Sequence, residues 1–94
     1  MVEHIVLVNL TNKDAMNKKQ DLIEKVRAFK EHIPGVLDSQ AGDNFSKGLD
    51  FGITVRFENK KALDDYVPHP RHQEVILLLK EMGMSDLTVL DFEI

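Results

Sequence analysis

Acid–base chemistry in this chain can come from four histidines and a single tyrosine. Three of these residues fall in one short segment, Tyr66-Val67-Pro68-His69-Pro70-Arg71-His72. A neutral imidazole accepts a proton near physiological pH, and a phenol can donate a hydrogen bond to a carbonyl oxygen. His72 is therefore a candidate general base and Tyr66 a candidate donor. His4, at the start of the first strand-like run, is a third candidate. Each has a plainly structural alternative. His72 could hold a helix start through a backbone carbonyl, Tyr66 could be a packed ring, and His4 could pair with a carboxylate. His69 and His72, three apart, also invite a metal. A catalytic zinc needs three protein ligands and an open position, and His69 is expected to cap a helix and point elsewhere. No side-chain metal site is expected.

The elements that must position these residues can be read from the pattern. Ile5 to Val8 is β-branched and continuously apolar, a strand buried on both faces. Thr11 and Asp14 resemble a capping box, so a helix should begin near Asn12. Its apolar stripe is Leu22, Ile23, Val26, Phe29 and Ile33, and Ile33-Pro34-Gly35 ends it. Val36 to Asn44 is a weaker strand, and residues 45 to 50 form a loop organised by Asn44 and Asp50. Phe51, Ile53, Val55 and Phe57 alternate with Gly52, Thr54 and Arg56, a clear period of two. Asn59 can cap a short helix through Tyr66. Pro68 and Pro70 break it, and Pro70 suits the first turn of the next helix. His72, Val75, Ile76, Leu79 and Met82 form that helix's stripe, which Gly83 closes. Leu87 to Phe92 is the last strand. Asp91 on it is expected in an edge or interface salt bridge, with Arg56 as a partner.

The order β-α-β-β-α-β is the ferredoxin-like α+β arrangement, with helices on one sheet face. The first and last strands are apolar on both faces, so the second face needs a cover. A homodimer with two antiparallel sheets face to face, a dimeric α/β barrel, supplies it.

The 94 residues make one domain, 1–94. The net charge of −4 argues against nucleic acid and anionic membrane as partners. No cysteine is present, which excludes disulfides, thiolate metal sites and a cysteine nucleophile. The absence of cysteine is compatible with a cytoplasmic location. The strand starting at His4 leaves no room for a leader, and no apolar run is long enough to span a membrane. No phosphate loop, dinucleotide fingerprint or nucleophile elbow occurs, so no cofactor is expected.

His4-Ile5-Val6-Leu7, Ile33-Pro34-Gly35-Val36, Gly42-Asp43-Asn44, the segment from Tyr66 to His72, and Val89-Leu90-Asp91-Phe92 resemble the stress-responsive dimeric α/β-barrel (Dabb) family over essentially the whole chain. The resemblance implies a ferredoxin-like homodimer, an association with stress response, and in most members no established reaction. One branch, the plant polyketide (olivetolic acid) cyclases, closes a polyketide by aldol condensation. Its catalytic histidine and tyrosine match His72 and Tyr66, and its first-strand histidine matches His4. Two further pocket positions of that branch fall at Phe51 and about Val26, which makes the pocket here more apolar. Some relatives hold a cation with backbone carbonyls at a turn matching Ile33 to Val36, and some assemble into stable rings. The expectation is a stress-associated homodimer with a small apolar ligand pocket lined by His4, Val26, Phe51, Tyr66 and His72. The alternatives are a cofactor-free cyclase or lyase, with His72 as base and Tyr66 as donor, and a structural or assembly protein.

Overall fold

A computed structural model describes residues 1–94. The chain runs β1 (Val2–Leu10), a 3-10 turn (Lys13–Lys18), α1 (Lys19–Arg27), α2 (Phe29–His32), β2 (Val36–Asp43), β3 (Phe51–Phe57), α3 (Lys60–Tyr66), α4 (Pro70–Glu81) and β4 (Met84–Glu93). The strands form one antiparallel sheet in the order β2-β3-β1-β4. This is the ferredoxin-like α+β fold, with the helices against one face.

The period of two in β3 decides which face that is. Phe51, Ile53, Val55 and Phe57 are buried, and Gly52, Thr54 and Arg56 face the other way. Leu22, Val26 and Phe29 from the first helical region and Val75, Leu79 and Met82 from α4 and its end complete one contiguous core. Burial of such side chains is the main favourable term in folding. Ser39 is the one buried polar residue, and its hydroxyl reaches the Arg27 carbonyl at 3.5 Å. No fully buried side-chain polar atom is left without a partner.

The start of the first helical region differs from the expected capping box. Asn12 is the cap, accepting from the Asp14 N–H at 3.1 Å, and it opens a 3-10 turn rather than an α-helix. Thr11 serves the far end of the chain instead. Its N–H and hydroxyl donate to the Gly83 carbonyl at 3.0 and 2.9 Å. The Asn12 N–H donates to Met82 O, and its side-chain amide to Glu81 O. The loop after β1 thus satisfies carbonyls that α4 leaves unpaired at its C-terminus. The other end signals hold. Asn59 accepts from the Ala62 N–H at 2.9 Å, and Pro70 opens α4 behind a His69 cap.

The sheet's second face is open. Leu7, Leu90 and Phe92 are exposed on it, and Ile5 lies between Leu90 and Thr54. Its other half is charged: Arg56 forks onto Glu3 at 2.8 and 3.1 Å. The Arg56 guanidinium is raised above its ordinary pKa by that hydrogen bond and by the Glu3 charge. The expected Arg56–Asp91 pair is therefore not formed, because the two residues lie on opposite faces of the sheet.

Gly83 has φ +77°, and a Cβ there would sit 2.6 Å from both Asn12 N and Thr11 Oγ1. Gly83→Ala should cost about 1–3 kcal/mol through strain and a damaged cap. A lowered denaturant midpoint checks it, and an unchanged midpoint would refute this account of the seal.

Candidate functional site

Three elements converge on one cavity. β1 carries His4 on the helix side, since its neighbours Val2 and Val8 of the same parity are core residues. α3 ends at Tyr66, where the prolines stop it. α4 begins at Pro70 and places His72 in its first turn, on the stripe that continues to Val75 and Leu79. The cavity between sheet and α4 has a volume of about 210 Å³, and nine of its eleven lining residues are hydrophobic, the Tyr66 ring among them. His4, Tyr66 and His72 form its polar end, and no Lys or Arg lines it. Larger hollows occur elsewhere on the surface, but they are open clefts.

The three polar residues pack on one another. The Tyr66 and His72 ring centroids are 4.2 Å apart, and those of Tyr66 and His4 5.8 Å. His72 Nδ1–H donates to the Val67 carbonyl at 2.8 Å. A carbonyl only accepts, so the proton of the neutral ring is on Nδ1 and the lone pair on Nε2. Val67 O also accepts from the Gln73 amide at 2.8 Å, which closes the break between α3 and α4.

His4 pairs with a carboxylate, and that carboxylate is Asp91. Its Nδ1–H donates to the Asp91 side chain, because the sheet register sets His4 directly opposite Asp91. This leaves Nε2 as the free nitrogen of His4 too. Asp91 also borders an open cleft of about 430 Å³ between α3 and the end of β4. A carboxylate fixing the tautomer and orientation of an imidazole is a common arrangement at reactive sites.

Burial sets the protonation states. It lowers the pKa of His72 below 6.5, the Val67 bond opposes that shift, and the charge His4 carries when protonated reinforces it. Burial pushes the Tyr66 phenol well above its ordinary value. At neutral pH the site therefore presents a neutral imidazole with an acceptor nitrogen and a phenol that keeps its proton. Tyr66 is 3% exposed and lines the cavity, and its hydroxyl, which makes no hydrogen bond within the chain, is not fully buried. The arrangement can take a proton at His72 Nε2 and donate a hydrogen bond from Tyr66.

Other expected site residues lie elsewhere. Val26 and Phe51 are fully packed in the core and do not line the cavity. His69 accepts from the Arg71 N–H at 3.1 Å and caps α4. No cluster of three or more His, Asp or Glu is placed to hold a metal ion. At the Ile33–Val36 turn the Ile33 and Gly35 carbonyls accept from Val36 and Glu58.

The lowered His72 pKa fixes a sign. The unfolded chain binds that proton more readily than the folded one, so stability from His72 is complete above pH 6.5 and falls as pH drops through the folded pKa. Proton NMR of the His72 ring should show a midpoint below 6.5, and one at or above that ordinary value would contradict its burial.

Comparison with known structures supports the fold throughout. A Bacteroides fragilis protein described as dimeric, ferredoxin-like and of unknown function matches with a TM-score of 0.87 at 21% identity, covering 99% of this chain and 95% of that one. A dimeric ferredoxin-like protein of unknown function from Jannaschia matches with a TM-score of 0.83 at 25% identity, covering 99% and 98%. An Arabidopsis thaliana protein matches with a TM-score of 0.84 at 21% identity, covering 100% and 95%. A search of curated proteins found no match. The sequence profile described as the stress responsive A/B barrel domain matches residues 2–94. The chain belongs to the stress responsive A/B barrel domain family.

Proposed function

We propose that this domain is a homodimer that binds a small, uncharged, largely apolar molecule in the cavity beside Tyr66 and His72. The observation that carries the ligand is the Tyr66 hydroxyl. No group of the chain hydrogen-bonds that hydroxyl, it is not among the fully buried polar atoms, and its ring lines the hollow, so a hydrogen-bond donor stands free for a bound molecule. The 210 Å³ volume is below the ~300 Å³ at which drug-sized sites begin, so the ligand is about one substituted ring in size. With no cation in the lining, a carboxylate or phosphate would enter without a counter-charge. The ligand therefore has a neutral head, an acceptor for Tyr66 and a proton for His72 Nε2. A phenol or an enolised ketone has both.

The dimer reading rests on the open sheet face. Ile5, Leu7, Leu90 and Phe92 form an apolar strip there, and relatives from Bacteroides fragilis and Jannaschia are described as dimeric. A second copy of the sheet would cover the strip.

The same atoms could move a proton. His72 Nε2 can remove one from an acidic O–H or from carbon beside a carbonyl, while Tyr66 holds the carbonyl oxygen. This is the cofactor-free lyase or cyclase reading, and it uses the same cavity.

Two measurements test these readings. Tyr66→Phe should leave stability within about 0.5 kcal/mol, since the hydroxyl has no partner to lose, yet weaken binding of a neutral phenol about tenfold by calorimetry. Equal binding by both proteins would refute the ligand role. Leu90→Asp should give monomer by light scattering, and a persistent dimer would refute the sheet-face interface.

A further inference from the structure

The open face has one place where two adjacent strands lack side chains. Gly42 of β2 and Gly52 of β3 are direct cross-strand partners. Gly52 shares its face with Thr54 and Arg56, so the missing side chains are missing from the open side. A Cβ at Gly42 would meet nothing within 4 Å, and one at Gly52 only Leu7 Cδ2 at 3.7 Å and Val6 O at 3.9 Å. The pair floors a cleft of about 500 Å³, bounded by Leu7 and by the loop residues Lys47, Gly48 and Leu49. Glycines inside strands weaken a sheet, and they mark places where another group approaches closely.

The group suited to this cleft is on the same loop. Phe45 is fully exposed and does not line the cleft. Its loop is braced. The Asn44 amide donates to Leu49 O at 2.7 Å and Lys47 O at 3.3 Å, and Asn44 Oδ1 accepts from the Ser46 N–H. Asp50 ties the loop to β1 by accepting from the Leu10 N–H at 3.0 Å and donating its own N–H to Asn9. A preorganised loop loses little entropy when its tip is buried.

We infer that in the dimer the Phe45 ring of one copy seats on the Gly42–Gly52 pair of the other, beside that copy's Leu7. The inference rests on the face-to-face sheet dimer and adds the contact that fixes its register. A two-fold interface must be self-complementary, and this chain carries both halves, an aromatic knob and a seat cleared of side chains. The seat is continuous with the apolar strip through Leu7. Aromatic side chains laid over strand glycines stabilise sheets by covering exposed backbone, and aromatic anchors dominate interface energy.

The chain has no cysteine, so engineered thiols report cleanly. Chains carrying Phe45→Cys, mixed with chains carrying Gly42→Cys and oxidised at a concentration where the native chain is dimeric, should give mainly the mixed disulfide on a non-reducing gel. Separately, Phe45→Ser should raise the dimer dissociation constant about tenfold or more in sedimentation equilibrium, with native secondary structure retained by circular dichroism. No mixed disulfide, or an unchanged dissociation constant, overturns the seat. If Leu90→Asp still gives monomer in that case, the sheet dimer survives without it. A native chain that stays monomeric at every concentration overturns both.

Discussion

The Tyr66 ring stands between the core and the cavity, and its packing sets what the site can be. Phe29 and Phe57 meet it edge-on from the core at 5.5 and 5.0 Å, and His4 and His72 meet it from the cavity side. Four ring contacts hold one phenol with no help from its hydroxyl. Apolar burial and edge-on aromatic geometry therefore fix the ring in place. The same burial keeps the phenol protonated and His72 neutral. One packing arrangement thus yields both the donor and the acceptor.

The second constraint is the one-sided sheet. Helices cover the face that carries Phe51, Ile53, Val55 and Phe57, and the other face mixes an apolar strip with the Glu3–Arg56 pair. An apolar strip on a solvated sheet is a liability unless something covers it. Its charged half and its glycine pair distinguish this face from a uniformly apolar surface, and charge placement and shape are what make an interface selective.

Local signals in the sequence located most of the fold. Asn59 and Pro70 each act within a turn of themselves, and the alternation in β3 needs only its own seven residues. Signals that depend on distant residues were harder to read. Thr11 resembles a cap for the residues just after it, but its partner is the Gly83 carbonyl just past α4, over seventy residues away. Asp91 has a charge to satisfy and no local clue to which face it takes. Only the β1–β4 register, which starts from Val2 opposite Glu93, brings it to His4. Of the candidate residues, Tyr66, His72 and His4 meet at one cavity because their motif and strand position aim them inward. Val26 and Phe51 sit on buried stripes too, and which buried residues border a hollow depends on packing in three dimensions. The Gly42–Gly52 pairing was equally invisible, since neither glycine has meaning without the register that joins them.

The most direct test of the account is a crystal structure of the protein with para-bromophenol, whose bromine can be located by anomalous scattering. The account predicts bromine at the apolar end of the cavity, near Leu79 and Val89, with the phenol oxygen in hydrogen-bond reach of Tyr66 or His72 Nε2. A cavity filled by its own side chains, or a ligand whose oxygen turns away from both residues, would contradict it.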